Sequence, residues 1–301
     1  MTGTDTERPD WLPTALFPYA DQYVHLDGHR VHYVDDGEGP VLLMLHGNPT
    51  YSFLYRNIIE GLQDRFRCIA LDYPGFGLSE AAPGYDFTPE SHARVVELFV
   101  DSLGLDGFTP VVQDWGGPIG MWVAARHPER VRALVVGNTW AWPKDDDKRT
   151  RWFSAALGGP IGTQLIKGAN AFVEVLVPAG VNRVKLSDDV MNAYRGPFPD
   201  EASREPTAIF PRELIGSTPF LTQLSESIEV LAAKPTLFVW GDKDIAFTVH
   251  DLLEWKRRLP RHRTRVLTGA GHFIQEDAPE EIAADIAAWW DQIVVPSEVG
   301  A

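Results

Sequence analysis

Short runs of apolar residues recur along the chain at lengths that predict β-strands. Residues 41–45 and 67–71 are apolar almost throughout, as expected of strands buried on both faces of a sheet. Residues 22–26 and 30–35 alternate apolar and polar side chains instead, and Asp27-Gly28 between them is a hairpin signal. The same criteria predict further strands at residues 109–113, 131–137, 235–240 and 265–267.

Helical patterns lie between these strands. Apolar residues recur at helical spacing over residues 90–103, 250–258 and 279–293, and an apolar helical run covers residues 119–125. Strands that alternate with helices are typical of βαβ units. We therefore expect an α/β fold with a mostly parallel, doubly wound sheet, to which the opening hairpin adds an antiparallel edge.

The pattern changes over residues 141–227, where short helical stretches mix with repeated glycines and prolines and no strand alternation is evident. We interpret this segment as an inserted helical cap. The predicted domains are then a core of residues 1–140 and 228–301 and a cap of residues 141–227. The run Asp145-Asp146-Asp147 lacks further ligands at calcium-loop spacing and is interpreted as a solvated turn rather than a metal site.

Charge and cysteine content narrow the classes of partner. The formal net charge of -15 disfavours nucleic acid and anionic membranes as partners. The N-terminus is polar and acidic, and no apolar run reaches the roughly 18 residues of a membrane span. The single cysteine, Cys68, lies in an apolar strand and cannot form an intrachain disulfide. We therefore expect a soluble cytoplasmic protein.

Asp114 stands where the predicted strand 109–113 turns into a helix, and two glycines follow it within three residues. Small residues at such a turn let the helix begin close to the strand and hold one side chain at the carboxyl edge of the sheet, as in a nucleophile elbow. The usual G-x-S-x-G pattern is altered twice here. Val112 replaces the first glycine, and Asp114 replaces the serine.

An aspartate at this position indicates nucleophilic attack on an alkyl carbon. A carboxylate exposed there would be ionised near neutral pH, with a pKa of about 4, and would need no base to activate it. Attack on an acyl carbon would give an anhydride, whereas attack on a tetrahedral carbon that bears a leaving group gives an ester that water can cleave. The alternative role for Asp114 is to cap the following helix.

Asp244 and His272 complete a candidate triad with Asp114. Each follows a predicted strand, and the carboxyl ends of the strands in a doubly wound sheet converge on one crevice. The order nucleophile, acid, histidine is that of α/β-hydrolases, and this order singles out His272 among nine histidines. Asp242 is a rival acid, but Asp244 lies farther past the strand. Asn138 occupies the other slot in which such enzymes carry the acid, and an amide cannot serve as one.

Asn48 and Trp115 are candidate donors to a leaving group. Asn48 lies in the loop expected to supply one backbone N–H of an oxyanion hole, and Trp115 supplies the other. Their side chains add an amide NH₂ and an indole N–H, which are uncharged donors beside the nucleophile. Such a pair suits a spherical anion that departs without a proton. The alternatives are packing for Trp115 and turn formation for Asn48.

Four segments of the chain resemble the motifs of the haloalkane dehalogenases, which are α/β-hydrolases with a helical cap. These segments are HGNPT at 46–50, DYPGFGLS at 72–79, QDWGGPIG at 113–120 and GAGHFIQEDAPEEIA at 269–283. The likeness covers nearly the whole chain, and the combination of QDWGG with HGNP is its most specific part.

The resemblance implies a role for each candidate residue. Asp114 would be the nucleophile, His272 the base, Asp244 the acid that orients it, and Asn48 with Trp115 the halide donors. The chain is most similar to the branch of the family with an Asp-His-Asp triad and an Asn-Trp pair. The implied reaction converts a haloalkane and water into an alcohol, a halide and a proton through an alkyl ester of Asp114, with no cofactor and no metal.

Other functions of the same fold fit the sequence less well. Epoxide hydrolases share the aspartate and use cap tyrosines to protonate an alkoxide, whereas this cap has one tyrosine, Tyr194, and Asn48 stands where those enzymes usually carry an aromatic residue. A haloacid dehalogenase would be expected to have arginine where Trp115 stands. A non-catalytic binding module usually lacks a triad member, and none is missing here.

The expected partners are a small apolar halogenated substrate and water. Three aromatic residues are candidates for the pocket wall: Trp140, Phe153 and Phe172. The sequence leaves the oligomeric state, monomer or homo-oligomer, undecided.

Overall fold

Eight β-strands form one sheet at the centre of the protein, in a computed structural model that describes residues 8–294. The strands are β1 (Gln22–Leu26), β2 (His29–Asp36), β3 (Val41–Leu45), β4 (Arg67–Leu71), β5 (Thr109–Gln113), β6 (Leu134–Gly137), β7 (Thr236–Gly241) and β8 (His262–Leu267). Their spatial order is β1-β2-β4-β3-β5-β6-β7-β8, and all neighbours from β4 onward are parallel. The predicted α/β fold with a mostly parallel sheet is confirmed.

The first two strands form the predicted antiparallel hairpin. β1 pairs antiparallel with β2, and β2 continues antiparallel onto β4. Asp27 and Gly28 join the two strands with φ angles of 47° and 84°. A two-residue turn of this kind needs left-handed backbone at both positions, which aspartate tolerates and glycine adopts freely. The dipeptide therefore sets the register of this edge.

Helices connect the parallel strands from β3 onward. The α-helices are α1 (Arg56–Leu62), α2 (Pro89–Ser102), α3 (Gly116–Arg126), α4 (Lys148–Gly158), α5 (Pro160–Ala169), α6 (Val177–Ala179), α7 (Asp188–Arg195), α8 (Glu205–Gly216), α9 (Thr218–Ser227), α10 (Val249–Arg258), α11 (Ile274–Asp277) and α12 (Pro279–Val294). Within the core, α2 packs against α3 and α1 packs against α12. Among the described residues, no helix is long and apolar enough to cross a lipid bilayer.

The chain between β6 and β7 contains the six helices from α4 to α9. α4 and α5 pack against α8, and α9 packs against α3 of the core. The division into a core of residues 1–140 and 228–301 and a cap of residues 141–227 stays a prediction. Its outermost parts, residues 1–7 and 295–301, lie outside the described residues.

β2 is one residue longer at each end than predicted and β7 lies one residue later, whereas β6 and β8 depart further from their predicted bounds. β6 begins at Leu134 rather than at position 131, because Val131 forms only an isolated bridge with Phe108. β8 begins at His262, three residues before its predicted start. Its first residues are polar or charged and half-buried or exposed at the edge of the sheet, so they leave no apolar signal.

Candidate active site

Asp114 lies at the sharp turn between β5 and α3, and its backbone has a φ of 49°. A non-glycine residue in this left-handed region is strained unless its surroundings hold it. The backbone N–H of Asp114 donates to the carbonyl of Asn138 at 3.1 Å, and the Thr139 hydroxyl donates to the carbonyl of Asp114 at 2.5 Å. The two residues that follow β6 therefore hold both the N–H and the carbonyl group of Asp114 in place.

The two glycines after the turn are required by close packing. A Cβ atom on Gly116 would lie 2.1 Å from the carbonyl oxygen of Leu45, and one on Gly117 would lie 1.8 Å from Oγ1 of Thr139. Both distances are far below van der Waals contact. Only glycine at these positions lets α3 begin this close to the ends of β3 and β6 and hold the Asp114 side chain at the edge of the sheet.

The expectation of an exposed Asp114 carboxylate is wrong, since the residue is only 9% exposed. Burial raises the pKa of the Asp114 carboxyl above its ordinary value. The charge of His272 and the backbone N–H groups of Trp115 and Asn48 oppose this rise but do not cancel it. The Asn48 N–H donates to Oδ1 of Asp114 at 2.9 Å. A desolvated carboxylate held by few donors is a stronger nucleophile than the exposed one expected from the sequence.

His272 lies between the two predicted carboxylates. Its Nδ1 is 2.9 Å from Oδ2 of Asp244, and its Nε2 is 3.7 Å from Oδ2 of Asp114. Burial alone would lower the pKa of His272, but the charges of Asp244 and Asp114 outweigh it and the pKa is raised. The structure thus brings the three candidate triad residues together in the order nucleophile, histidine, acid.

Asp244, rather than Asp242, contacts the histidine. The Asp244 carboxylate accepts from the backbone N–H of Ala246 at 2.6 Å and from Nδ2 of Asn138 at 2.9 Å. Burial raises the pKa of the Asp244 carboxyl, but His272 and these donors outweigh it and the pKa is lowered. Asp242 is exposed and accepts from the backbone N–H of Gly269 instead.

The loop that carries His272 is fastened to the segment that follows α6. The backbone N–H of Phe273 donates to the carbonyl of Gly180 at 3.1 Å. A Cβ atom on Gly271 would lie 2.4 Å from the same carbonyl oxygen. Asp277 accepts from the backbone N–H groups of Asn182 and Arg183 at 3.0 and 2.6 Å. The position of the histidine therefore depends on residues 180–183 as well as on β8.

The two candidate leaving-group donors flank Asp114. Asn48 is 5% exposed, and its side-chain Nδ2 donates to the carbonyl of Thr207 in α8 at 3.1 Å. Trp115 is 3% exposed, and its ring lies 4.6 Å from the ring of Trp140 and 5.2 Å from that of Phe210. Both donors are thus desolvated, which strengthens any hydrogen bond they make to an anion.

The aromatic residues singled out from the sequence have different surroundings. Trp140 is fully buried and stacks on Phe247, whose ring lies 5.7 Å from that of His272. Phe172 belongs to a separate apolar cluster with Ile166 and Ala208. Phe153 is half-buried. Of the three, Trp140 is the one that the ring contacts connect to the triad.

Tyr194, the tyrosine of the predicted cap, is hydrogen-bonded to Glu276. Its hydroxyl donates to Oε1 of Glu276 at 2.5 Å, and Glu276 forms a two-pronged ion pair with Arg56 at 2.6 and 2.8 Å. Its ring packs edge-on against Phe53. The hydroxyl is therefore committed to a buried ion pair.

Two residues that the sequence did not single out as contributors also touch the triad. Asn138, considered only as a missing acid, donates to Asp244 and accepts from the backbone N–H of Gly241 at 2.7 Å. Gln113, the last residue of β5, contacts His272. Their common signal is a polar side chain at the last position of a buried strand or directly after it.

Comparisons with known proteins show the fold family and the relatives of this chain. Residues 40–279 match the model of the α/β hydrolase fold family. The chain is 45% identical to haloalkane dehalogenase 2 of Mycobacterium tuberculosis over 273 residues, which cover 90% of this chain and 95% of the relative. Haloalkane dehalogenase DbeA from Bradyrhizobium elkani has a similar structure, with a TM-score of 0.84, 31% identity and coverage of 92% and 99% of the two chains.

Another relative carries a different name. The chain is 35% identical to a cis-3-alkyl-4-alkyloxetan-2-one decarboxylase of Shewanella oneidensis over 282 residues, which cover 90% of this chain and 88% of the relative.

The matched family model, the sheet order and the turn at Asp114 define the chain as an α/β hydrolase. Within that class it belongs to the haloalkane dehalogenases, hydrolases that act on carbon–halide bonds.

Proposed function

We propose that the protein hydrolyses haloalkanes through a covalent alkyl ester on Asp114. The observation that carries this proposal is the line of Asp114, His272 and Asp244, in which one imidazole contacts both carboxylates. The reaction needs a nucleophile that is ionised before substrate binds and a base that acts only afterwards. A buried carboxylate and a histidine 3.7 Å from it fulfil these two roles.

In the first step, Oδ2 of Asp114 attacks the carbon that bears the halogen, and the carbon–halogen bond breaks as the carbon–oxygen bond forms. The halide leaves with the bonding electron pair and needs no proton. The indole N–H of Trp115 and the second N–H of the Asn48 amide, whose first N–H is donated to Thr207, hold the departing anion as neutral donors. This assignment corresponds to an Asp-His-Asp triad with an Asn-Trp halide pair.

In the second step, Nε2 of His272 takes a proton from water, and the water oxygen attacks the carbonyl carbon of the Asp114 ester. The backbone N–H groups of Asn48 and Trp115 stabilise the oxyanion, and Asp244 stabilises the imidazolium. Collapse of the intermediate releases the alcohol and restores the Asp114 carboxylate. The proton then leaves His272 for solvent.

The proposed partners are a small apolar halogenated substrate and water, with no nucleic acid and no membrane. The cytoplasmic location remains a prediction. The proposed pocket wall includes Trp140, because its ring contacts join Trp115 to Phe247 beside His272.

Epoxide hydrolysis has less support than haloalkane hydrolysis. That reaction must protonate an alkoxide, and the hydroxyl of Tyr194 is already donated to Glu276 in a buried ion pair. The halide reaction needs no such acid.

The proposal is tested with purified protein and a panel of short and medium bromoalkanes, with bromide release as the readout. A styrene-oxide-type epoxide is assayed beside them for diol formation. We expect bromide from the wild type and no diol. Diol without bromide would overturn the proposal in favour of epoxide hydrolysis.

The 35% identity to an oxetanone decarboxylase favours a second candidate activity. In a β-lactone, Asp114 would attack the saturated ring carbon bonded to the ring oxygen, and the bond between that carbon and the oxygen would break, so that the oxygen leaves as part of a carboxylate and needs no proton. Loss of carbon dioxide would then expel the Asp114 carboxylate and leave an alkene. Because no water is consumed, a His272→Ala variant would retain this reaction while it loses alcohol formation. Alkene formation from a cis-3,4-dialkyl oxetan-2-one is the measurement, and its absence would exclude this activity.

Replacing Trp115 with phenylalanine is expected to slow bromide release by roughly 10²-fold, because the aromatic packing is kept and one donor to the leaving anion is lost. Inhibition by added bromide should weaken in parallel. Trp122→Phe is the matched control, since Trp122 lies in α3, which begins directly after Trp115, and packs on Phe220. Equal rates and equal bromide inhibition in Trp115→Phe and wild type would contradict the donor role.

A further inference from the structure

Gln113 is a buried polar residue that the proposed mechanism does not use. It is the last residue of β5, directly precedes Asp114 and is 1% exposed. Its Nε2 atom lies 3.1 Å from Nε2 of His272 and 3.1 Å from the carbonyl oxygen of the same residue. Its Oε1 is buried and has no hydrogen-bond partner among the described residues.

The chemistry of these contacts determines which amide atom faces His272. A carbonyl oxygen can only accept, so the Gln113 atom beside it must be the NH₂ group and not the oxygen. The same NH₂ group meets Nε2 of the ring, which must then accept a hydrogen bond and carry no proton. The proton of the neutral imidazole therefore lies on Nδ1 and is donated to Asp244, which the 2.9 Å contact also requires.

We propose that Gln113 is a positioning residue for the base: in the resting enzyme it donates to both Nε2 and the carbonyl oxygen of His272 and holds the ring beside Asp114 with Nε2 unprotonated, and it gives up the bond to Nε2 when the water donates its proton there. This inference rests on the proposed function, in which His272 accepts a proton from water. The hydrogen bond to the His272 carbonyl fixes the orientation of the Gln113 amide. The hydrogen bond to Nε2 selects the His272 tautomer with its proton on Nδ1.

The role of Gln113 follows from the charges around the ring. The groups that face His272 are the carboxylates of Asp114 and Asp244 and the uncharged rings of Phe247 and Phe273. The two carboxylates favour the imidazolium and raise the pKa of His272 against the effect of burial. An imidazolium cannot act as the base. A donor aimed at Nε2 favours the neutral ring and opposes the carboxylates.

The unpartnered oxygen of Gln113 fits the second half of the cycle. Once Nε2 has taken a proton from water, it faces the Gln113 NH₂ group as a second donor, which is unfavourable. Rotation of the amide would present Oε1 to the new N–H, at the cost of the bond to the His272 carbonyl. The resting orientation is therefore the one that favours the unprotonated base.

The first test is an NMR titration of ¹⁵N-histidine-labelled enzyme without substrate, with His272 assigned from a His272→Ala sample. In the wild type, we expect the neutral ring to carry its proton on Nδ1. In Gln113→Met, which keeps the length and removes the donor, the pKa of His272 should rise by roughly half to one pH unit. Gln113→Glu should raise it further, because a carboxylate would accept from a protonated Nε2.

The second test is single-turnover kinetics of Gln113→Met with a bromoalkane. Ester formation should proceed at the wild-type rate. Ester hydrolysis should be about fivefold slower at pH 7, since a higher pKa of His272 leaves less of the ring unprotonated. At pH 9 the rate of hydrolysis should recover toward that of the wild type. Gln275→Met is the matched control, because Gln275 is also a buried glutamine, and among the described residues the side-chain hydrogen bonds of His272 are to Gln113 and Asp244 instead.

Two results would overturn the inference. One is a wild-type ring protonated on Nε2, which needs no variant to observe. The other is an unchanged pKa of His272 in a folded Gln113→Met or Gln113→Glu protein. Neither measurement involves turnover, so an enzyme that fails to release bromide would reject the proposed function without deciding the role of Gln113.

Discussion

A variant with alanine in place of His272 is expected to release one equivalent of bromide per enzyme and then stop. Asp114 keeps its carboxylate and its bond from the Asn48 N–H, so the alkyl ester still forms. Without the imidazole that lies 3.7 Å from that carboxylate, no base remains at the position where water must lose its proton. The intact protein should therefore gain the mass of one alkyl group in place of a proton, and the gain should persist for hours.

Peptide mapping should locate this added mass on Asp114. The matched control is His250→Ala, because His250 is exposed on α10 and should turn over as the wild type does, without a lasting adduct. An alanine variant at His272 that releases bromide in one burst but carries no adduct would contradict the covalent scheme. Continued turnover would show that another group acts as the base.

Replacing Asp114 with asparagine is expected to lower bromide release by about 10⁴-fold or more, since an amide has no anionic oxygen to attack the alkyl carbon. The fold should be kept. Asparagine tolerates the φ of 49° at this position, and its oxygen can still accept from the Asn48 N–H. Circular dichroism and a melting curve like those of the wild type would separate lost chemistry from lost structure.

Asp242→Asn is the control for this loss, because Asp242 is an exposed aspartate that binds the backbone N–H of Gly269. It should release bromide at the wild-type rate. If Asp114→Asn keeps more than a small fraction of the wild-type rate, displacement by Asp114 is not the first step.

The same carboxylate determines how the first step responds to pH. Burial raises the pKa of Asp114, and the positive charge of His272 lowers it. Ester formation should therefore fall as the pH drops through a value above the ordinary pKa of 3.8. In His272→Ala the opposing charge is gone, so the midpoint of this fall should move to higher pH. Single-turnover ester formation, measured across acidic pH in the wild type and in His272→Ala, gives the two pH profiles to be compared.

The sequence predicted those parts of the fold and site that depend on local patterns. The strands β3, β4 and β5 have the predicted bounds, because each has an apolar centre and is almost entirely buried. The turn at Asp114 was recognisable from the glycines that follow it. The start of β8 was not, because an edge strand can keep charged side chains in solvent.

The features of the site that could not be predicted depend on contacts between residues that are far apart in the sequence. Asp114 is enclosed by residues that follow other strands, namely Asn48 after β3, Thr139 after β6 and His272 after β8, and no short window of the sequence contains them together. The choice of Asp244 over Asp242 could be argued from distance past the strand, but its bond from Asn138 spans 106 positions. Gln113 could be recognised only as part of the segment at 113–120. Its contact with His272 could not be read from the sequence, because the two residues are 159 positions apart.

The attachment of the His272 loop to residues 180–183 limits how this enzyme can be redesigned. A helical region inserted between two strands invites exchange with that of another hydrolase, in order to change the substrates accepted. In this protein, an exchange that alters the backbone at Gly180 would displace the carbonyl oxygen that accepts from the Phe273 N–H. It would also disturb the close packing of Gly271 against that oxygen. Grafts that retain the native residues from α6 to Arg183 should preserve the second half-reaction, whereas complete replacement of the insert should accumulate ester.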